Sequence, residues 1–206
     1  MADKRGLFIT FEGADGCGKT TQINLVKEYL DKKNITSILT LEPGGCDIGV
    51  QLRNILLHHQ GPVANASELF MYLADRSQHT ETVILKNINQ GIHVLCDRYI
   101  DSTVAYQGYA RCGCIEQIEY LNNIATNGLL PDITFLLDID SSIAQKRLGE
   151  EKDRLEKEGL FFHQKVREGY LELAKKHPER IKIIDANLGI DKVFSQIKEV
   201  LDRYYE

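Results

Sequence analysis

The 206-residue chain is long enough to bury a substantial core as one domain, and its 43% hydrophobic and 27% charged content is that of an ordinary globular protein, excluding wholesale disorder and fibrous repeats. Its 25 Lys and Arg against 30 Asp and Glu leave a net charge of −5 without any basic block, which excludes the extended positive field that a nucleic acid partner requires. No apolar run approaches the ~20 residues needed to cross a bilayer, so no membrane partner is expected.

The opening stretch MADKRGLFITFEG has only a short apolar segment before Glu12, unlike a signal peptide. Cys17, Cys46, Cys96, Cys112 and Cys114 are odd in number and lack CxxC spacing, as expected of reduced thiols in a cytoplasmic protein. Short apolar runs then alternate with amphipathic segments from end to end, the pattern of βα units around a parallel sheet. Leu7 to Glu12 is the first predicted strand, and Lys19 to Lys33 follows as a helix with Ile23, Val26 and Leu30 on one face. Thr36 to Leu41 is the second strand. Ser67 to Asn89 reads as a long helix apolar around much of its circumference, suited to the core and to a partner.

His93 to Asp97 is the third strand, and the helix from Ile115 to Asn127 carries Ile118, Leu121 and Ala125 inward before a stop at Asn127-Gly128. Ile133 to Asp138 and Ile181 to Asp185 complete five strands, and a helix from Ile190 to Tyr204 closes the chain. Between the last two strands, Gln145 to Glu158 is dense in charge with little to bury, as expected of a mobile surface flap.

Directly after the first strand stands Gly13-Ala14-Asp15-Gly16-Cys17-Gly18-Lys19-Thr20, a G-x-x-x-x-G-K-[ST] loop leading through Thr21 into a helix. Its glycines let successive N–H groups point at phosphate oxygens, and the helix adds its positive dipole end. Lys19 is placed to bridge the β- and γ-phosphates of ATP, and the Thr20 hydroxyl to hold Mg²⁺, a cation that prefers oxygen ligands. Asp97, ending the third strand, can orient the same Mg²⁺ or accept a proton, and Arg98 beside it suits a second anion. The chain lacks an Asn-Lys-x-Asp guanine reader and a Leu-Ser-Gly-Gly signature, which leaves a compact kinase among the nucleotide-binding classes.

Phe11-Glu12-Gly13, Glu42-Pro43-Gly44-Gly45, Leu52-Arg53, Tyr72 to Arg76 and Asp97-Arg98-Tyr99, with Ser102 and Ala105-Tyr106-Gln107-Gly108, follow one another in an order and spacing that resembles the thymidylate kinase family. That resemblance covers nearly the whole chain. It implies transfer of the γ-phosphoryl of ATP to dTMP, giving dTDP, with Mg²⁺ accompanying ATP. It also implies an α/β fold of the P-loop nucleoside-monophosphate-kinase type: one domain over 1–206, a five-stranded parallel sheet flanked by helices, and a short lid over about 145–158.

Residue by residue, the resemblance implies that Arg53, Arg76 and Arg98 grip the acceptor phosphate, with Asp15 nearby, and that Tyr72 stacks on the thymine. Tyr106 and Gln107 then stand near sugar and base, and Ser102 or Thr103 meets polar atoms of the base. Arg147 and Asp185-Ala186-Asn187 would border adenine, and Arg154 would reach from the lid to the transferring phosphoryl. Lys19, Arg98, Arg154, Asp97 and Asp15 would form the catalytic group, with Thr20 and Asp97 at the metal. Gly16 stands where some members carry an arginine, so the chain resembles the bacterial subtype with basic lid residues. Family members are typically homodimers through long helices. Leu41, Cys46 and Cys112 depart from the residues usual there. A kinase for another nucleotide and a non-catalytic nucleotide switch are the rival readings.

Overall fold

The computed structural model describes residues 5–147, 149 and 153–205. Five parallel strands, β1 (Phe8–Glu12), β2 (Ser37–Leu41), β3 (His93–Asp97), β4 (Ile133–Asp138) and β5 (Ile181–Asp185), form one sheet in the order β2-β3-β1-β4-β5. Central β1 is buried along its whole length, whereas the edge strands β2 and β5 are only partly buried, leaving Leu39 and Ile183 in solvent. The register sets Phe11 opposite Asp97, so the carboxyl ends of β1 and β3 open together at the edge where ligands bind in such sheets.

On one face, α1 (Lys19–Lys32) and the final helix, α9 (Ile190–Tyr205), close a core of Ile23, Val26, Leu30, Ile197 and Leu201 against the strands. On the other, α2 (Asp47–His58), α3 (Asn65–His79) and α8 (Leu160–Lys176) enclose Leu56, Tyr72, Tyr106, Val166 and Tyr170. The predicted helix over Ser67 to Asn89 begins two residues earlier, at Asn65, and is not uniform. A five-residue π-type turn, Thr80–Ile84, interrupts it before α4 (Leu85–Ile88), and within that turn Thr80 shares a 2.8 Å hydroxyl bond with Tyr99.

After β3, the short α5 (Ile100–Thr103) runs into a second wide turn, Val104–Ala110, which carries Tyr106 and Gln107; such turns interrupt helices frequently at functional sites. Next, α6 (Ile115–Ala125) ends two residues before the expected Asn127, whose left-handed φ of 50° already belongs to the turn with Gly128. Among the described residues no helix is long and apolar enough to cross a membrane.

The expected flap over 145–158 is only partly a surface feature. Its first residues finish α7 (Ser141–Arg147), residues 148 and 150–152 lie outside the described residues, and 153–158 form a tight turn. In that turn the Asp153 carboxylate accepts the N–H groups of Leu155 and Glu156 at 2.8 Å each. Leu155, only 6% exposed, packs into the core of Tyr72 and Tyr106. One apolar residue among many charges is enough to seat the turn, and composition averages it away.

Candidate active site

The phosphate loop is built as its sequence demands. Gly13 has φ 138°, and a β-carbon there would lie 2.6 Å from the Leu137 carbonyl oxygen and 2.9 Å from the Cys17 sulfur, so both backbone angle and space require glycine. Cys17 turns into the core, and burial pushes its thiol up from the ordinary range. Gly13, Ala14 and Cys17 therefore shape the loop, while Gly16, Gly18, Lys19, Thr20 and Thr21 line the cavity outside it. The Lys19 ammonium folds back and donates to the carbonyl oxygens of Gly13 at 3.2 Å and Ala14 at 3.1 Å.

Arg98 meets this loop from β3. Its backbone sits at φ 72°, an uncommon angle for a residue with a side chain, and its guanidinium donates to Gly13 O at 3.0 Å, Ser102 Oγ at 3.1 Å and Tyr170 Oη at 3.0 Å. The other terminal nitrogen pairs with Asp15 at 2.5 Å, and the Tyr106 hydroxyl donates to the second Asp15 oxygen at 2.9 Å. Burial works against ionisation of Asp15, but the charges of Arg98 and Lys19 outweigh it and hold the carboxyl well below the usual range. Lys19 and Arg98 share one acceptor, Gly13 O, so two positive groups are held within two hydrogen-bond lengths of each other.

Two cavities meet at Arg98. One, beside the phosphate loop, is bordered by Lys19, Thr20, Asp97 and Arg147; the other, between α3 and the wide turn, by Tyr72, Arg76, Thr103, Tyr106 and Gln107. Asp15, Glu42, Arg53, Arg98 and Asp153 belong to both. Arg53 is steered to this junction by donating to the Pro43 carbonyl at 2.7 Å, and Asp75 fixes the same loop by accepting the Gly44 N–H at 2.9 Å. Burial and the neighbouring Glu42 push the Asp75 carboxyl up to about 6.

Asp97 Oδ1 is buried at the end of β3 with no hydrogen-bond partner, and the Thr20 hydroxyl borders the same cavity. A buried oxygen without a partner needs a cation or water, and a hydroxyl with one carboxylate, completed by phosphate oxygens and water, is a donor set that suits Mg²⁺. Arg147, at the end of α7, reaches toward the Ala186 carbonyl at 3.5 Å, so two of the residues expected beside adenine are neighbours.

The family model for thymidylate kinase matches residues 11–197. This chain belongs to the thymidylate kinase family. Among its relatives, a thymidylate kinase of Thermoanaerobacter is 45% identical over 201 residues, covering 97% of this chain and 99% of that protein, and one from Clostridium novyi is 44% identical over 202 residues, covering 96% and 98%. The crystal structure of thymidylate kinase from Ehrlichia chaffeensis superimposes with a TM-score of 0.79 at 37% identity, covering 96% of this chain and 99% of that one.

Two of the arginines to which the family resemblance gives roles are engaged by protein groups. Arg154 borders neither cavity at the phosphate loop. Its Nη1 pairs with buried Glu68 at 2.6 Å and its Nε donates to Leu56 O at 2.8 Å, because a carboxylate sealed in the core attracts the nearest cation. Arg76, 1% exposed, borders the second cavity. It donates to Glu42 at 2.8 Å, Thr103 and Asn122 at 2.7 Å each, and Tyr99 O at 2.9 Å. Four of its five N–H groups are thereby committed; Arg53 and Arg98 are the arginines that border both cavities.

Three residues without an assigned role in the sequence analysis also support the site. Glu12 accepts Tyr99 N at 2.7 Å, Ser102 Oγ at 2.6 Å and Tyr170 Oη at 3.0 Å, and burial together with nearby Asp101 pushes its carboxyl up to about 7. Tyr170 joins this carboxylate to Arg98. Its spacing from Phe162, Val166 and Leu173 on α8 is a core pattern, from which a hydroxyl contact 72 residues away cannot be read. Glu68, the third, lies on the first turn of α3.

Proposed function

We infer that the chain transfers the γ-phosphoryl group of ATP to dTMP, giving ADP and dTDP. The observation that carries this reading is the pair of cations on Gly13 O, with one cavity on each side, in a chain of the thymidylate kinase family. ATP enters with its phosphates against the loop of Gly13 to Thr20, beneath Lys19, and its adenine against Arg147. dTMP enters the second cavity with its phosphate at Arg53 and Arg98. Its base lies at Tyr72, whose ring offers a face for stacking.

The remaining N–H of Arg76 meets a ring carbonyl. The carbonyl oxygen of Gln107, whose amide nitrogen is spent on Glu68, accepts the imide N–H. A pyrimidine dione satisfies both groups, whereas cytosine presents an amine and a bare ring nitrogen to them. Tyr106, held by Asp15, closes the sugar edge.

The acceptor phosphate is ionised at neutral pH and attacks in line without a general base, so the work of the protein is positioning and charge neutralisation. Lys19 and Arg98 share the negative charge on the transferring group, and Asp15 fixes Arg98 so that its fork arrives oriented. Thr20 and Asp97 would hold Mg²⁺, which would supply charge neutralisation to the bound phosphates. The role of Asp97 would be to hold that ion, and the phosphoryl receives no help from Arg154 while that residue rests on Glu68.

The chain is proposed to work in the cytoplasm, and as a homodimer. Ile48 and Ile55 on one side of α2 and Phe70 on α3 are 45–59% exposed on adjoining helices, apolar surface that a second copy would cover; sedimentation at the mass of a single chain would contradict the dimer. The reaction itself is tested by ADP formation from ATP with dTMP, dUMP, dCMP, dGMP, AMP or thymidine as acceptor. Turnover is expected with dTMP, weaker with dUMP, and near background with the others. ATP binding without acceptor-dependent turnover would favour a nucleotide switch instead.

A further inference from the structure

Glu68 is 1% exposed, and a carboxylate so deeply buried is costly unless its oxygens are fully used. Its partners come from both ends of the site. Oε1 accepts the Gln107 amide at 2.8 Å, Oε2 pairs with Arg154 at 2.6 Å, and Arg111 approaches Oε1 at 3.6 Å while pairing with Glu158 at 2.7 Å. One carboxylate thus touches the residue that faces the base and the turn that bears Asp153 and Leu155, both of which line the acceptor cavity.

We propose that Glu68 is a positioning residue that sets the base specificity of the acceptor site and seats the lid turn of residues 153–158 over it. An ionised carboxylate only accepts hydrogen bonds, so it admits one orientation of the Gln107 amide: nitrogen toward Glu68, oxygen toward the cavity. The same charge anchors Arg154, which is also fastened to α2 through Leu56 O at 2.8 Å and through its own N–H to Leu57 O at 3.2 Å. The residue after Arg154 is Leu155, part of the apolar wall around Tyr72. Gln107 and the turn are therefore oriented by one group, and neither needs to move for the other to sense the loss of its charge.

The inference rests on the placement of the base at Gln107, so its test carries a variant for each. In Glu68→Gln an amide replaces the carboxylate, the Gln107 amide gains a second orientation, and Arg154 loses its counter-charge. The kcat/KM ratio of dTMP over dCMP is expected to fall about tenfold or more, mainly through a raised dTMP KM, with kcat changed only a few-fold. Gln107→Leu is expected to lose the same discrimination, and the double variant Glu68→Gln/Gln107→Leu to lose no more than either alone.

Where Glu68→Gln folds poorly, Glu68→Gln/Arg154→Met removes the unpaired cation and is measured in its place, and melting curves establish the fold. A dTMP-to-dCMP ratio that holds at the level of the unaltered protein in folded Glu68 variants, while falling in Gln107→Leu, would overturn the role of Glu68 and leave the base placement standing. An unaltered ratio in Gln107→Leu would overturn the placement and the proposal together.

Discussion

Lys19→Ala should lower kcat by about a thousandfold while the protein melts close to its original temperature. The ammonium contacts the carbonyl oxygens of its own loop and the Cys17 sulfur, at 3.8 Å, so its removal breaks no link between strands or helices. Gly13 O keeps its bond from Arg98, and the glycine angles that shape the loop do not involve the side chain. What disappears is one of the two positive groups at the transferring phosphoryl, where preoriented charge contributes most. Coupled ADP release at saturating ATP and dTMP measures the effect, and circular dichroism melting accompanies it. A kcat within tenfold of the original would remove Lys19 from the reacting centre.

Arg98→Lys preserves the charge and should still cost about a hundredfold in kcat/KM for dTMP. The guanidinium bonds Asp15, Gly13 O, Ser102 and Tyr170 while facing both cavities. An ammonium has three N–H groups and no fixed plane, so it cannot serve Asp15, Gly13 O, Ser102 and Tyr170 and also meet a phosphate oxygen. Tyr106 would then lose the fixed Asp15 oxygen it donates to, so the sugar edge loosens as well. Initial rates against dTMP concentration should therefore show a raised KM together with a reduced kcat. Near-normal kinetics would mean that charge alone is used there.

The sheet was legible because its strands are short apolar runs between glycine-rich or amphipathic segments, and β3, β4 and β5 begin and end where hydrophobicity does. The phosphate loop was legible because its chemistry is local: eight consecutive residues carry their own geometry. Arg98, Asp15 and Tyr106 also lie in motifs that place them near phosphate and sugar.

Arg154 shows where such reading stops. Its position in the charge-rich stretch is plain, but its partner Glu68 is 86 positions earlier, on a helix whose apolar pattern gives no hint of a buried carboxylate. Arg76 is similar, since Glu42, Thr103 and Asn122 converge on it from three separate elements. A family motif names the residue, and only the tertiary packing tells which of its N–H groups are already taken.

The central claim is that donor and acceptor phosphates are held on opposite sides of the Lys19 and Arg98 pair, close enough for direct transfer. It is tested most directly by calorimetric titration with adenosine and thymidine joined 5′ to 5′ through a chain of phosphates. If the two cavities meet as described, the linked compound should bind at least about a hundredfold more tightly than ATP or dTMP alone, and Lys19→Ala and Arg98→Lys should each weaken it. Binding no tighter than that of ATP, with dTMP still able to bind alongside it, would contradict the arrangement.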